Sequence, residues 1–341
     1  MKPKILPMLS RRSFIKGGIC LVLLKPQRPY VVTVNGRLNA ARMGVTLTHE
    51  HFLVDFIGAD KVNDSRWDVN VVVEKVLPYL LEAKANGVRT IMDCTPDFLG
   101  RDVRLLKILS EKSGVNILTN TGYYGAVNYK YLPAWAFTET AEQLAERWIA
   151  EAKNGIGDTG IKPGFMKISV NGGELSELEL KLITAAGLTH LETGLTICSH
   201  TGPAVAAFEQ MEVLKKMGVK ADAFVWVHAQ AELKKHTYTQ AAKMGAWVSL
   251  DGLGWGDIEN YANWMDTLKA NGCLHRVLIS HDAGWYDPEK PGGENIVDYT
   301  NIFKKLIPLL EQKGFKQRHI EQLLVKNPAE AFAVRVRKER A

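Results

Sequence analysis

Two histidines one residue apart, His49 and His51, stand in the stretch Thr46-Leu47-Thr48-His49-Glu50-His51-Phe52. Val45, Leu47 and Phe52 are apolar and Gly44 punctuates the start, a pattern that predicts a β-strand. Residues two apart in a strand share a face. Both imidazoles therefore point into one small volume, and Glu50 points away from it. Neutral imidazole is the commonest protein ligand for a transition metal. Taken alone, the pair is equally well explained as two hydrogen-bonded histidines in a half-buried strand. Four later residues change that balance. Lys167 comes late in the run from Gly164 to Val170, and His200 closes the run that begins at Leu195. His228 closes a run that begins at Ala223, and Asp282 ends one that begins at Arg276.

The elements that must position these residues follow a rhythm. Residues 30–38 predict a β-hairpin with Asn35-Gly36 at its turn. After the strand carrying His49, apolar runs recur at residues 88–95, 115–122, 164–170, 195–201, 223–229, 246–252 and 276–282. Helical patterns separate them. One helix is expected from Asp68 to Asn86, interrupted by Pro78 and closed by Gly87. Others are expected from Asp102 to Ser113 and from Thr138 to Lys153. About eight βα units with no break in composition predict an α/β fold, a (β/α)8 TIM barrel with an N-terminal β-hairpin, as one domain over residues 30–341. A doubly wound open sheet is disfavoured, because no Gly-rich phosphate loop follows the first strand. The carboxyl ends of all strands of a barrel meet at one rim. His49, His51, Lys167, His200, His228 and Asp282 would therefore share one mouth. Singly, each histidine reads as a satisfied core residue and Asp282 as a helix N-cap. A lysine aimed alone into a barrel would carry a heavy desolvation cost. A shared metal site explains all six together.

Composition sets further bounds. The chain has 341 residues, 46% hydrophobic and 23% charged, with a formal net charge of +6. Seven basic residues (Lys2, Lys4, Arg11, Arg12, Lys16, Lys25 and Arg28) lie in residues 1–30, which hold no acidic residue. The remainder is near neutral, so the high pI is no argument for nucleic acid. Arg335, Arg337, Lys338 and Arg340 are read as a solvated helix end or tail. Ser10-Arg11-Arg12-Ser13-Phe14-Ile15-Lys16 is similar to a twin-arginine export motif, so residues 1–29 are read as an export leader and the protein as periplasmic. The apolar run behind it, Gly17 to Leu24, is too short to span a membrane. Four cysteines without CxxC spacing read as buried apolar residues rather than ligands or disulfides.

The ordered set of motifs resembles the phosphotriesterase family of the amidohydrolase superfamily. The pieces are Gly44-Val45-Thr46-Leu47-Thr48-His49-Glu50-His51, Gly100-Arg101-Asp102-Val103-Arg104-Leu105-Leu106, Thr121-Gly122, Gly164-Phe165-Met166-Lys167-Ile168, Ser199-His200-Thr201, Val227-His228 and Ser280-His281-Asp282. The resemblance runs from about Val32 to about Ala333. It implies two divalent metal ions, typically zinc. His49, His51 and Asp282 would hold the more buried ion, and His200 and His228 the more exposed one. Lys167, N6-carboxylated by carbon dioxide, would bridge them. A hydroxide shared by the ions would be the nucleophile, and Asp282 would take its proton outward. The resemblance implies hydrolysis of ester-type bonds, a lactone or carboxylester with phosphotriester cleavage beside it. Organophosphate triester hydrolysis proper and amide or cyclic-amide hydrolysis are the alternatives. A metal-binding barrel without catalysis would have no use for Asp282 as a base. Nuclease activity conflicts with the near-neutral body.

Two departures bear on the substrate. Family members that cleave phosphotriesters carry a histidine after the strand-seven aspartate, where this chain has Gly252 after Asp251. They also carry acidic residues after the strand-six histidine, where this chain has Ala229, Gln230 and Ala231. The outward proton relay is therefore expected to be absent, or rebuilt through water or Gln230. A lactone or carboxylester needs that relay less than a triester, because its leaving alkoxide can recapture a proton. Tyr123, Tyr124, Trp255, Trp285 and Tyr286 follow predicted strands and are the candidate substrate-binding residues, suited to an apolar or aryl ester or lactone. The loop from Ala283 to Glu294 is the expected specificity element. It holds no arginine cluster for a phosphorylated sugar, although Lys290 lies within it. Relatives of this family are often homodimers.

Overall fold

The computed structural model describes residues 28–339. The twin-arginine-like segment lies outside them, as do residues 340–341. Strands β1 (Tyr30–Thr33) and β2 (Gly36–Asn39) pair antiparallel as the expected hairpin. The barrel begins with β3 (Val45–Glu50) and continues with β4 (Val88–Asp93). The third stave is split at Thr119 into β5 (Asn116–Leu118) and β6 (Asn120–Thr121). Then come β7 (Phe165–Ser169), β8 (Ile197–His200), β9 (Phe224–Val227), β10 (Trp247–Leu250) and β11 (Val277–Ile279). Neighbours pair parallel in chain order, β3 to β5 and β6 to β11. The ring closes where the Asp282 backbone N–H donates to His49 O (3.0 Å) and that of His51 donates to Ala283 O (2.8 Å). The eight-stave barrel expected from the sequence is the fold.

Helices alternate with the strands. They are α1 (Val69–Ala85), α2 (Val103–Ser113), the short α3 (Trp135–Thr138), α4 (Ala141–Asn154), α5 (Glu177–Thr193), α6 (Ala204–Lys216), α7 (His236–Met244) and α8 (Ile258–Ala270). After the last strand come α9 (Ile307–Gln312), α10 (Gln317–Glu321) and α11 (Asn327–Phe332). Their starts carry the chemistry that stops fraying. Asp68 and Asp102 cap α1 and α2, and capping boxes Thr140/Gln143 and Ser176/Glu179 open α4 and α5. Two sequence expectations are corrected here. Pro78 does not interrupt α1. The helix runs on to Ala85, and both Pro78 and Glu74, the residue one turn before it, lie on its exposed face. The helix expected from Thr138 starts instead at Ala141, because the Thr140 side chain caps it.

The barrel interior is layered. Phe165, Val225, Trp247, Leu278 and Cys198 fill its lower part, and Phe332 of α11 closes it from below with an edge contact to Phe165 at 5.8 Å. Lys167 is two residues beyond Phe165 on β7, so it stands on the same inward face, one layer nearer the mouth. The basic C-terminal stretch is corrected as well. Arg337 is buried, not solvated. Its guanidinium donates to the carbonyls of Ala331 (2.7 Å) and Ala333 (3.2 Å), and its backbone N–H donates to His190 Nε2 (2.9 Å). Arg337 thus fastens the tail to the end of the barrel opposite the mouth.

Candidate active site

His49 and His51 sit at the end of β3 with ring centroids 5.3 Å apart, and both reach Asp282 Oδ1, at 3.5 and 3.2 Å. Glu50, between them, faces outward as its parity demands. Its carboxylate accepts from Ser280 Oγ (2.7 Å), from the N–H groups of His281 and Ala283 (3.0 Å each) and from His281 Nδ1 (2.8 Å). Strand one thereby holds the segment on either side of Asp282. Lys167 is 1% exposed and its Nζ lies 3.0 Å from His49 Nε2. Among the described residues no carboxylate comes within ion-pair reach of that amine. His200 and His228 follow at the next two strand ends, with centroids 4.3 Å apart, and His228 lies 4.9 Å from His49. The six residues expected to converge do so. His49, His51 and Asp282 each offer a ligand atom, and these atoms lie within 4.8 Å of one another.

The backbone is strained where the site is. His228 (φ 60°), Asp282 (φ 52°) and Trp285 (φ 67°) all adopt left-handed conformations that side chains other than glycine seldom take. Gly122 permits a close approach beneath the lysine. It has φ +117°, and a Cβ there would lie 2.4 Å from Lys167 O.

The electrostatics suit ligation. Burial holds the His49 imidazolium down to about 3, helped by the Lys167 charge. Burial also lowers His51, and it takes His200 well below the ordinary histidine range, with His228 adding to the effect. Each offers a neutral ring with a free lone pair. Burial disfavours the charged form of His228 too, but Asp251 and Asp282 outweigh it and its pKa is raised. Burial pushes the Asp282 carboxyl up, but His49, His51 and His228 outweigh it and keep Asp282 ionised. The donor set fits divalent metal. It comprises three buried neutral imidazoles (His49, His51 and His200), a fourth imidazole, His228, held by Asp251, an ionised carboxylate and a buried amine without a counter-ion.

Two cavities meet over this cluster. One, of about 200 Å³, is lined by Val54, Phe56, Leu99, Tyr124 and Trp285 together with the six clustered residues. The other, of about 430 Å³, shares His200, His228 and Asp282 and extends past Val127, Asn171, Pro203 and Trp255. Tyr124, Trp285 and Trp255 therefore border the site as expected. The Tyr124 hydroxyl lies 3.0 Å from His200 Nδ1, and Trp255 stands 59% exposed on the rim. Tyr123 and Tyr286 line neither cavity. Tyr123 points away among Phe98, Trp135 and Trp148, and its hydroxyl accepts from Trp135 Nε1 at 3.3 Å. Tyr286 is buried against Gly293, and its backbone exchanges hydrogen bonds with Phe52 and Val54. Only one of each aromatic pair thus reaches the mouth, Tyr124 and Trp285. Lys290 pairs with Asp287 (3.5 Å) and is absent from both linings.

A sequence model of the phosphotriesterase family matches residues 29–332. The chain belongs to the phosphotriesterase family. Its relatives include the phosphotriesterase homology protein of Escherichia coli K12, 28% identical over 293 residues (85% of this chain, 98% of that protein). An aryldialkylphosphatase of Saccharolobus solfataricus is 26% identical over 302 residues (85% and 95%). A phospho-furanose lactonase of Mycoplasmopsis agalactiae is 25% identical over 329 residues (89% and 91%). Among the described residues, no helix of this phosphotriesterase-family hydrolase is long and apolar enough to cross a membrane.

Four residues support the ligands in a role that the sequence motifs do not reveal. Thr95 Oγ1 faces His51 Nδ1 at 2.8 Å, and Asp251 contacts both His49 and His228. Glu50 and Ser280 tie strand one to strand eight. Asp251 carried the same signal as Asp282, an acid at the end of a barrel strand. The Gln230 side chain is turned to Asp251 rather than Asp282. Its amide grips Asp251 at both ends, donating to Oδ1 (3.0 Å) and accepting from the backbone N–H (3.2 Å). The neighbouring position has no room for the histidine of the family's triester-cleaving members. A Cβ on Gly252 would lie 2.5 Å from Tyr261 Oη, 2.7 Å from Trp255 Cζ2 and 2.8 Å from Gln230 Nε2. Gly252→His is therefore expected to lower the melting temperature by several degrees, the effect of about 1–3 kcal/mol of overpacking, without raising triester turnover. A thermal melt and a paraoxon-type assay check both parts. A stable variant with faster triester cleavage would show that the gap can host the relay.

Proposed function

We propose that this family member is a binuclear metal-dependent hydrolase of neutral ester-type bonds, a lactone or a carboxylester, exported to the periplasm. The observation that carries the reading is the pairing of six converged ligand-type residues with two cavities whose other lining side chains are uncharged. When bound, a pair of divalent ions, zinc by family resemblance, would polarise the scissile group and lower the pKa of a water molecule. His49, His51, His200, His228 and Asp282 are the residues to hold them. Lys167 as an ammonium would repel both ions, whereas carboxylation of its amine supplies two anionic oxygens at the same place. Asp282 is ionised and placed to hold a proton at its carboxylate. Val54, Phe56, Leu99 and Trp285 form an apolar wall that excludes water from one side of the site. Export rests on the Arg11-Arg12 motif alone.

Charge discriminates among substrates. A phosphorylated lactone or an anionic amide would bring its charge into cavities that contain no arginine and no lysine other than Lys167. Burying such a group unpaired costs several kcal/mol. Triesters are neutral, but the site lacks the outward relay. A panel of neutral lactones, aryl esters, phosphorylated lactones, triesters and acylated amino acids tests the reading on purified, metal-loaded enzyme. Neutral lactones or aryl esters should show the highest kcat/KM, by at least about tenfold, the ratio that corresponds to 1.4 kcal/mol. A preference for phosphorylated lactones or acylated amino acids would overturn it.

A further inference from the structure

One buried carboxylate touches two of the four imidazoles. Asp251 Oδ2 lies 3.1 Å from His49 Nδ1, and Oδ1 lies 2.8 Å from His228 Nδ1. The carboxylate is fully buried and held by groups of its own. Ser249 Oγ donates to Oδ2 at 2.7 Å, Gln230 Nε2 to Oδ1 at 3.0 Å and the His228 backbone N–H to Oδ2 at 3.3 Å. An ionised carboxylate only accepts hydrogen bonds. Each imidazole must therefore donate from Nδ1, which leaves Nε2 as the nitrogen through which the ring, once neutral, can ligate. A single anion thus sets the tautomer and the tilt of two rings. Neither remaining ring touches Asp251: His51 Nδ1 faces Thr95 Oγ1, and the Tyr124 hydroxyl lies 3.0 and 3.3 Å from the two nitrogens of His200.

On the binuclear reading above, on which this inference rests, His49 belongs to one ion and His228 to the other. We propose that Asp251 is the positioning residue shared by both metal positions, so that the ions are gained and lost together through one carboxylate. The asymmetry of an amide makes the idea testable. Asn at 251 keeps the shape but offers one acceptor oxygen and one donor NH₂. It can orient one ring correctly and must face the other donor to donor. Because either ring can claim the oxygen, neither is held in a single tautomer.

The test uses full-length protein stripped of metal by a chelator and titrated with Zn²⁺ by calorimetry. Elemental analysis after dialysis against buffered free zinc gives the stoichiometry. Wild-type protein should bind two ions; binding of one or none would overturn the binuclear reading and this inference with it. With two bound, Asp251→Asn should weaken both ions by about 10–100-fold, the usual cost of losing such an outer partner. Thr95→Val should weaken one ion and leave the other at its wild-type affinity. An Asp251→Asn protein that keeps either ion at wild-type affinity overturns the shared role while the binuclear reading stands. Should circular dichroism show that Asp251→Asn does not fold, Gln230→Leu takes its place. It removes one of the groups that hold the carboxylate, and a smaller loss shared by both ions is expected. A loss confined to one ion, or none, overturns the proposal.

Discussion

Asp282→Asn should lower kcat by between about 10² and 10⁴, the range that a positioned proton acceptor contributes, while most of the metal stays bound. The substitution is unusually clean. Asp282 has φ 52°, and Asn is among the few residues other than glycine that tolerate this left-handed region. The backbone should therefore keep its place, fixed from behind by Glu50 through the His281 and Ala283 N–H groups. The amide oxygen can still face His51 Nε2, the nearest contact of the carboxylate at 3.2 Å. What disappears is the basic lone pair and the negative charge. Measured together, kcat and metal content separate the roles. Loss of turnover with metal retained supports the base. Unchanged turnover would remove Asp282 from the chemistry, and loss of metal in proportion to activity would make it a ligand only.

Lys167→Met decides the state of the buried amine through the sign of its effect on metal. Met matches the length of the lysine stem and suits the apolar layer below, where Phe165 and Cys198 pack. The fold should accept it or gain stability, because a buried amine without a counter-ion is removed. If Lys167 were an ammonium in the working enzyme, its removal would relieve repulsion and tighten metal binding. If it is carboxylated, the same change deletes the bridging anion. We expect zinc affinity to fall by 100-fold or more, about 2.7 kcal/mol, and activity to fall with it. A variant that binds zinc more tightly than wild type would exclude the carboxylated form.

Much of this was legible in the chain because barrels place strand ends predictably. Parity along β3 put His49 and His51 together and Glu50 apart, and the strand-end rule gathered Lys167, His200, His228 and Asp282 from distant segments. The same logic failed where parity is not strict. After strands three and eight the chain leaves the pleat, and no periodicity says which of Tyr123 and Tyr124, or of Trp285 and Tyr286, turns inward. The tolerance of Pro78 inside α1 depends on which face of the helix it occupies, which is a tertiary fact. The burial of Arg337 is equally hidden, because composition cannot distinguish a free tail from one whose guanidinium finds buried carbonyls. The outer partner Thr95 carried no signature, and Gln230 carried none for the contact it makes. Their hydrogen bonds cross between neighbouring staves, a side-by-side setting that no motif encodes.

Whether ions occupy this mouth as a pair is the point on which the account stands, and a direct count answers it. The full chain, purified without chelators and exchanged into metal-free buffer, should carry close to two divalent ions per polypeptide by inductively coupled plasma mass spectrometry. One ion or none, in protein that remains folded and hydrolytically active, would contradict it.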